Sequence, residues 1–127
     1  MKKYYVTVDA DGNIYWYKDA KRTILHREDG PAIEYTDGDK FWYLNGEHHR
    51  IGGPAIEHPS GAKQWWVNGK LHREDGPAAV YADGSKLWYI NNVEMTEKEF
   101  LDRTRPVEEM TIDQIEQLLG KRIKIVK

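Results

Sequence analysis

The sequence predicts a mainly β fold, an antiparallel meander of about four β-hairpin repeats in a single curved sheet. A small C-terminal α-helical tail and a final short strand follow it. Three observations predict it: a seven-residue block that returns at a fixed offset, turn dipeptides placed regularly between aromatic runs, and a change of hydrophobic period near residue 95. The block His26-Arg27-Glu28-Asp29-Gly30-Pro31-Ala32 returns as His49-Arg50-Ile51-Gly52-Gly53-Pro54-Ala55 and as His72-Arg73-Glu74-Asp75-Gly76-Pro77-Ala78, each time 23 residues on. Between the blocks Asp37-Gly38, Ser60-Gly61 and Asp83-Gly84 precede Phe41-Trp42-Tyr43, Gln64-Trp65-Trp66 and Leu87-Trp88-Tyr89. Asn45-Gly46, Asn68-Gly69 and Asn91-Asn92 then close each copy.

Taken in order, a degenerate repeat spans 1–25, with Asp11-Gly12 and Tyr15-Trp16-Tyr17 in place of the full pattern. Repeats at 26–48, 49–71 and 72–94 complete a repeat domain over 1–94. Within a copy, Pro31 to Tyr35 reads as a first strand, since proline is tolerated where a strand begins. Asp37-Gly38 reads as a two-residue turn and Lys40 to Leu44 as the return strand. That turn pairs Ile33 with Trp42, Ala32 with Tyr43 and Glu34 with Phe41. Cross-strand partners share a face. One face then carries Ile33, Trp42, Leu44, Ile56, Trp65, Val67, Ala79, Trp88 and Ile90 as core, with Trp16 continuing the tryptophan column. The other is mixed, with Ala32, Glu34, Phe41, Tyr43, Ala55, Glu57, Trp66, Ala78, Leu87 and Tyr89. The segment 95–127 reads as a helical cap and strand. Thr96-Glu97-Lys98-Glu99 is a capping box opening one helix. After Pro106, Thr111 to Gln114 opens a second with an apolar stripe of Ile112, Ile115, Leu118 and Leu119, stopped by Gly120. Ile123 to Val126 reads as the last strand.

Composition narrows the function. Lys and Arg number 19 against 21 Asp and Glu, for a net charge of −2 and a pI near 6.2. No basic field draws nucleic acid, so none is expected as a partner. The basic tail residues Lys121, Arg122, Lys124 and Lys127 read as a solvated strand edge. There is no cysteine, and Asp9 and Asp11 interrupt the apolar run that a signal peptide would need. No membrane association and a cytoplasmic location are the expectation.

The repeat pattern, best seen in Trp42-Tyr43-Leu44-Asn45-Gly46 and in His72 to Ala78, resembles tandem-repeat proteins of unknown function in tailed bacteriophages and giant viruses. The ending from Met110 to Gly120 and on to Lys127 is similar to a tail such proteins carry. The 23-residue hairpin period is also that of MORN-type repeats, which lends geometry alone, because their Gly-rich Tyr-x-Gly-x-Trp pattern is absent. The resemblance implies a phage-encoded accessory protein acting in the host cytoplasm and brings no activity with it.

Five histidines, His26, His48, His49, His58 and His72, raise the question of a metal. Equivalent positions in neighbouring hairpins lie about 9.6 Å apart, too far to share one ion within about 2.1 Å. No metal and no cofactor are expected, and each His-Arg pair reads as a structural unit bonding loop carbonyls or Asp29 and Asp75. A hydrolase-type enzyme would need His and Asp groups converging in one pocket, whereas a repeat spreads them along a line, so no enzyme is expected. The expectation is a binding module for a host protein. Its candidate binding residues are Tyr43, Trp66 and Tyr89 on the mixed face and Arg27, Arg50 and Arg73 in the loops. An alternative is a small ligand, a nucleotide or saccharide, held between rings of the aromatic ladder. The open ends of the sheet leave room for a homodimer.

Overall fold

The structure is a computed structural model and describes residues 2–104 and 110–120. Its strands are β1 Tyr5–Val8, β2 Ile14–Tyr17, β3 Ile33–Glu34, β4 Lys40–Phe41, β5 Tyr43–Leu44, β6 Glu47–His48, β7 Ile56–Glu57, β8 Lys63–Gln64, β9 Trp66–Val67, β10 Lys70–Leu71, β11 Ala79–Val80, β12 Lys86–Ile90 and β13 Val93–Met95. Two helices follow, α1 Glu97–Thr104 and α2 Ile112–Leu119. The fold is mainly β, and its large antiparallel sheet runs β1-β2-β3-β4-β7-β8-β11-β12-β13 without closing into a barrel.

The meander carries one feature the sequence reading lacked. Each repeat contains two hairpins, because β5-β6 and β9-β10 leave the sheet as separate two-stranded ribbons. Their turns are the Asn-Gly dipeptides. Asn45 and Gly46 have φ of 52° and 79°, and Asn68 and Gly69 have 49° and 76°. Two successive positive φ values make the two-residue turn whose twist matches antiparallel strands. In the last copy Asn91 and Asn92 do the same, and β12 continues straight through Trp88 to pair with β13. Earlier copies break at that point because Trp42 N–H donates to the Ala55 carbonyl of the next repeat at 2.7 Å, as Trp65 N–H does to Ala78.

The Asp-Gly turns are not two-residue turns, and this corrects the pairing. Gly38 N–H donates to the Tyr35 carbonyl at 3.0 Å and Tyr35 N–H to the Asp39 carbonyl at 3.0 Å. The loop is therefore Thr36-Asp37-Gly38, a type I turn with glycine in the left-handed position, φ 98°. The same bonds recur at Asp9, His58 and Tyr81. One extra loop residue moves the register by one: Ile33 pairs with Phe41 and Glu34 with Lys40. A one-residue slip moves the return strand's side chains to the opposite face. Ile33 thus shares its face with Phe41 and Ile56, whereas Trp42 belongs with Glu34, Lys40 and Glu57. Glu34-Lys40-Glu57-Lys63 forms a cross-strand row of alternating charge.

The core also differs from the expected one. The tryptophans are half-buried, and the buried apolar residues are Ala32, Ile33, Ala55, Ile56, Ala78, Ala79, Ile90 and Phe100. Ala32, Ala55 and Ala78, expected on the mixed face, are wholly enclosed. Each lies where chain segments cross: Ala32 N–H donates to the Phe41 carbonyl at 2.8 Å while its own carbonyl accepts from Trp16 N–H at 2.7 Å. A side chain larger than methyl has no room there.

The tail follows its capping signals. Thr96 and Glu99 exchange the reciprocal bonds of a capping box at 3.1 and 3.2 Å, and Phe100 of α1 is buried. Thr111 caps α2 with Gln114, and Gly120 ends it at φ 66°. The α2 stripe does not join the core: Ile112, Leu118 and Leu119 are exposed, and no residue of the helix is buried. The strand read at Ile123 to Val126, the basic residues of the tail and Pro106 lie outside the described residues.

Candidate functional site

Three loops of identical offset line one side of the sheet, and their own side chains hold them there. Arg27, Arg50 and Arg73 lay their guanidinium carbons over the Trp16, Trp42 and Trp65 rings, each at 3.9 Å. Arg27 Nη1 donates to the Pro31 carbonyl at 3.2 Å, Arg50 to that of Pro54 at 3.0 Å and Arg73 to that of Pro77 at 3.1 Å. Glycine makes the position available. A Cβ on Gly30, Gly53 or Gly76 would come within 2.7 to 2.9 Å of the guanidinium carbon. The preceding histidine ties each loop to the adjoining Asn turn: His26, His49 and His72 accept through Nδ1 from the backbone N–H of Asn45, Asn68 and Asn91 at 2.9 to 3.0 Å. An accepting Nδ1 fixes the Nε2–H tautomer.

Tyr43, Trp66 and Tyr89 stand on the opposite face, and all three are half-buried. The gap between the first two is occupied. The His48 ring centroid is 4.2 Å from that of Tyr43 and 5.3 Å from that of Trp66, with 3.2 Å between its Nε2 and the Tyr43 hydroxyl. Leu71 takes the equivalent place opposite Trp66. The Trp66 indole N–H is used by Gln64 Oε1 at 2.9 Å. The structure thus separates the predicted residues, with three arginines on one side and three rings on the other. Glu34 and Glu57, expected beside the rings, face the arginines instead: Arg50 Nη1 is 3.2 Å from Glu57, and Arg27 Nη1 is 4.0 Å from Glu34.

His48 is a chemical oddity of the ring face. Its Nδ1 is buried with no hydrogen-bond partner among the described residues, and burial holds the imidazole below the ordinary value of 6.5. Below about pH 6.5 the unfolded chain therefore takes up a proton that the folded chain refuses, and stability falls as pH drops through the folded value. His48→Leu copies the residue at the equivalent positions Leu25 and Leu71. The expected outcome is a variant whose melting temperature declines less than that of the wild type between about pH 7 and about pH 5. Parallel melting curves across that range would assign the decline to other groups.

The loops enclose two clefts at the repeat offset. One, near 570 Å³, lies between loop 27–31 and loop 49–51 over Trp42 and Leu44. The other, near 650 Å³, lies between loop 50–54 and loop 72–75 over Trp65 and Val67. Ile51 lines both and is 76% exposed. It stands where the other copies have Glu28 and Glu74, and Gly52 stands in place of Asp29 and Asp75. The sequence reading counts His49 to Ala55 as one more return of the block, with Gly52 as a turn former beside Asp29 and Asp75; the signal it passes over is that acidic positions turn non-acidic in one loop alone. Among the described residues no three His, Asp or Glu side chains gather as metal ligands would, and no helix is long and apolar enough to cross a membrane. Comparison of the chain with protein-family models, curated proteins and solved structures gives no match.

Proposed function

We propose that this chain is a non-enzymatic interaction module, a phage accessory protein of the host cytoplasm that binds and modulates a host protein. A component of host defence is the kind of target proposed. The phage origin rests on the sequence resemblance alone. The binding surface proposed is the row of His-Arg loops rather than the Tyr43, Trp66 and Tyr89 face.

Ile51 is the observation that carries this reading. A large aliphatic side chain at a loop tip, exposed and flanked by two clefts, offers apolar surface that a partner would bury favourably. It is the kind of anchor around which a polar rim forms an interface, here supplied by Glu28, Glu74 and the arginines. The face with Tyr43 and Trp66 has less to offer, because His48 already fills the space between those rings.

Pulldown from host lysate compares three proteins: the wild type, Ile51→Glu and Tyr89→Ser. Ile51→Glu gives the loop the glutamate its two sisters carry, so the fold is expected to survive, as circular dichroism will show. Capture is expected to be lost in Ile51→Glu and kept in Tyr89→Ser. The reverse pattern would move the site to the aromatic face.

A further inference from the structure

The middle loop departs from its neighbours at two adjacent positions, and the second departure concerns Arg50. In the flanking loops the arginine Nε–H is satisfied from within: Arg27 Nε donates to Asp29 and Arg73 Nε to Asp75, both at 2.9 Å. Position 52 is glycine, so Arg50 has no such carboxylate. Its Nη1 turns to Pro54 and Glu57, and among the described residues nothing accepts from its Nε. The space beside it is open, since a Cβ built on Gly52 would meet no atom within 4 Å. The Arg50 side chain is correspondingly more exposed, 31% against 18% for Arg27 and 24% for Arg73. Gly52 also adopts φ 85°, a left-handed conformation that Asp29 and Asp75 do not share.

We propose that Arg50 Nε and Ile51 together receive an acidic peptide segment of a protein partner. An Asp or Glu carboxylate would take the place that Asp29 and Asp75 fill in the flanking loops, and an adjoining aliphatic side chain would lie on Ile51. The flanking loops supply the template, because each shows a carboxylate seated on the same guanidinium edge while the ring stacking and the proline bond stay in place. Occupancy selects the site. In the outer loops Asp29 and Asp75 already hold that guanidinium edge, whereas the middle loop carries no acid of its own and Glu57 engages only Nη1 of Arg50. An aliphatic neighbour adds apolar burial at the one of the three His-Arg loops that carries an exposed large aliphatic side chain. The proposal rests on the reading of Ile51 as partner-facing and adds the chemistry of what it meets.

The test uses the full chain, labelled for magnetic resonance, with the arginine Nε–H and isoleucine methyl signals as readouts. The probe is the capped peptide acetyl-Gly-Leu-Asp-Leu-Gly-amide, compared with its Asp→Asn counterpart and with free acetate. The expected result is a saturable shift of Arg50 Nε–H and the Ile51 methyls with the Asp peptide. Arg27 and Arg73 should stay put, and the Asn peptide should bind roughly tenfold more weakly, the worth of one charge-assisted hydrogen bond. Acetate alone should move Arg50 only at far higher concentration. The double variant Ile51→Glu with Gly52→Asp rebuilds the sequence of the outer loops and should lose the shifts. An unmoved Arg50, equal shifts at all three arginines, or equal affinity for the Asp and Asn peptides would each overturn the proposal. Those readings come from the wild type and do not depend on the variant folding. If they fail while Ile51→Glu still abolishes partner capture, the loop reading stands and the carboxylate is wrong. If the peptide binds at Arg50 while capture ignores Ile51, the carboxylate site stands and the loop reading fails.

Discussion

Trp65→Ala lowers the unfolding free energy by about 3 kcal/mol, the low end for deleting a large aromatic because the ring is half-buried. The loss has two parts. The indole is the surface on which Arg73 stacks at 3.9 Å, and it floors the cleft beneath the loop at 72–75. Without it the guanidinium keeps Asp75 and the Pro77 carbonyl as partners but lies over a void. Trp66→Ala costs clearly less. That ring packs on His48, and its N–H is held by a neighbouring Gln64 that can turn to water. Urea titrations of both variants at one pH check the order. A larger loss for Trp66 would mean that the ring column, not the arginine clamp, holds adjacent repeats together.

Ala55→Leu lowers stability by about 3 kcal/mol through overpacking. Ala55 is 0% exposed, its N–H is bonded to the Gln64 carbonyl and its own carbonyl to Trp42 N–H, so neither chain segment can withdraw. Three methylene-sized groups must enter where a methyl fills the space. The control is Ile51→Ala at the exposed tip, which removes as many carbons as Ala55→Leu adds and should leave the titration midpoint nearly unchanged. A tolerated Ala55→Leu would show that the crossing can open.

The period, the antiparallel pairing and both capping boxes were legible because each rests on residues whose backbone preference is local. The register was not, and the reason is specific. Asp37-Gly38 suits a two-residue turn in isolation, yet a turn of that kind needs positive φ at both residues, and only the glycine has it. Pro59 is the available warning, since proline at the second turn position presets negative φ and so disfavours a two-residue turn starting there, in line with the loop Pro59-Ser60-Gly61. Asn45-Gly46 was read as an end to a strand although it is the stronger hairpin signal. The clefts were invisible for another reason. They arise from the height of loops set by an arginine lying on a ring across its own hairpin, a side-chain contact that the residue pattern does not spell out. The unmatched residues, Ile51 and Gly52, were in plain view, but their meaning depends on Asp29 and Asp75 being bonded to the flanking arginines.

The ties between copies behave like links of a chain rather than stones of an arch. Gly46, Gly69 and Asn92 donate to the carbonyls of Leu25, His48 and Leu71, and every one of these bonds joins a residue to the copy next door, 21 residues away along the sequence. Excising residues 49–71 would bring His72 directly behind His48 and offer Asn92 the carbonyl that Gly69 had used. No long-range closure would be broken, so the molecule can gain or lose whole copies at a cost set by one junction. A lineage built this way can rewrite the tip of a single loop, or add another loop to the row, while the rest of the sheet carries on unaltered.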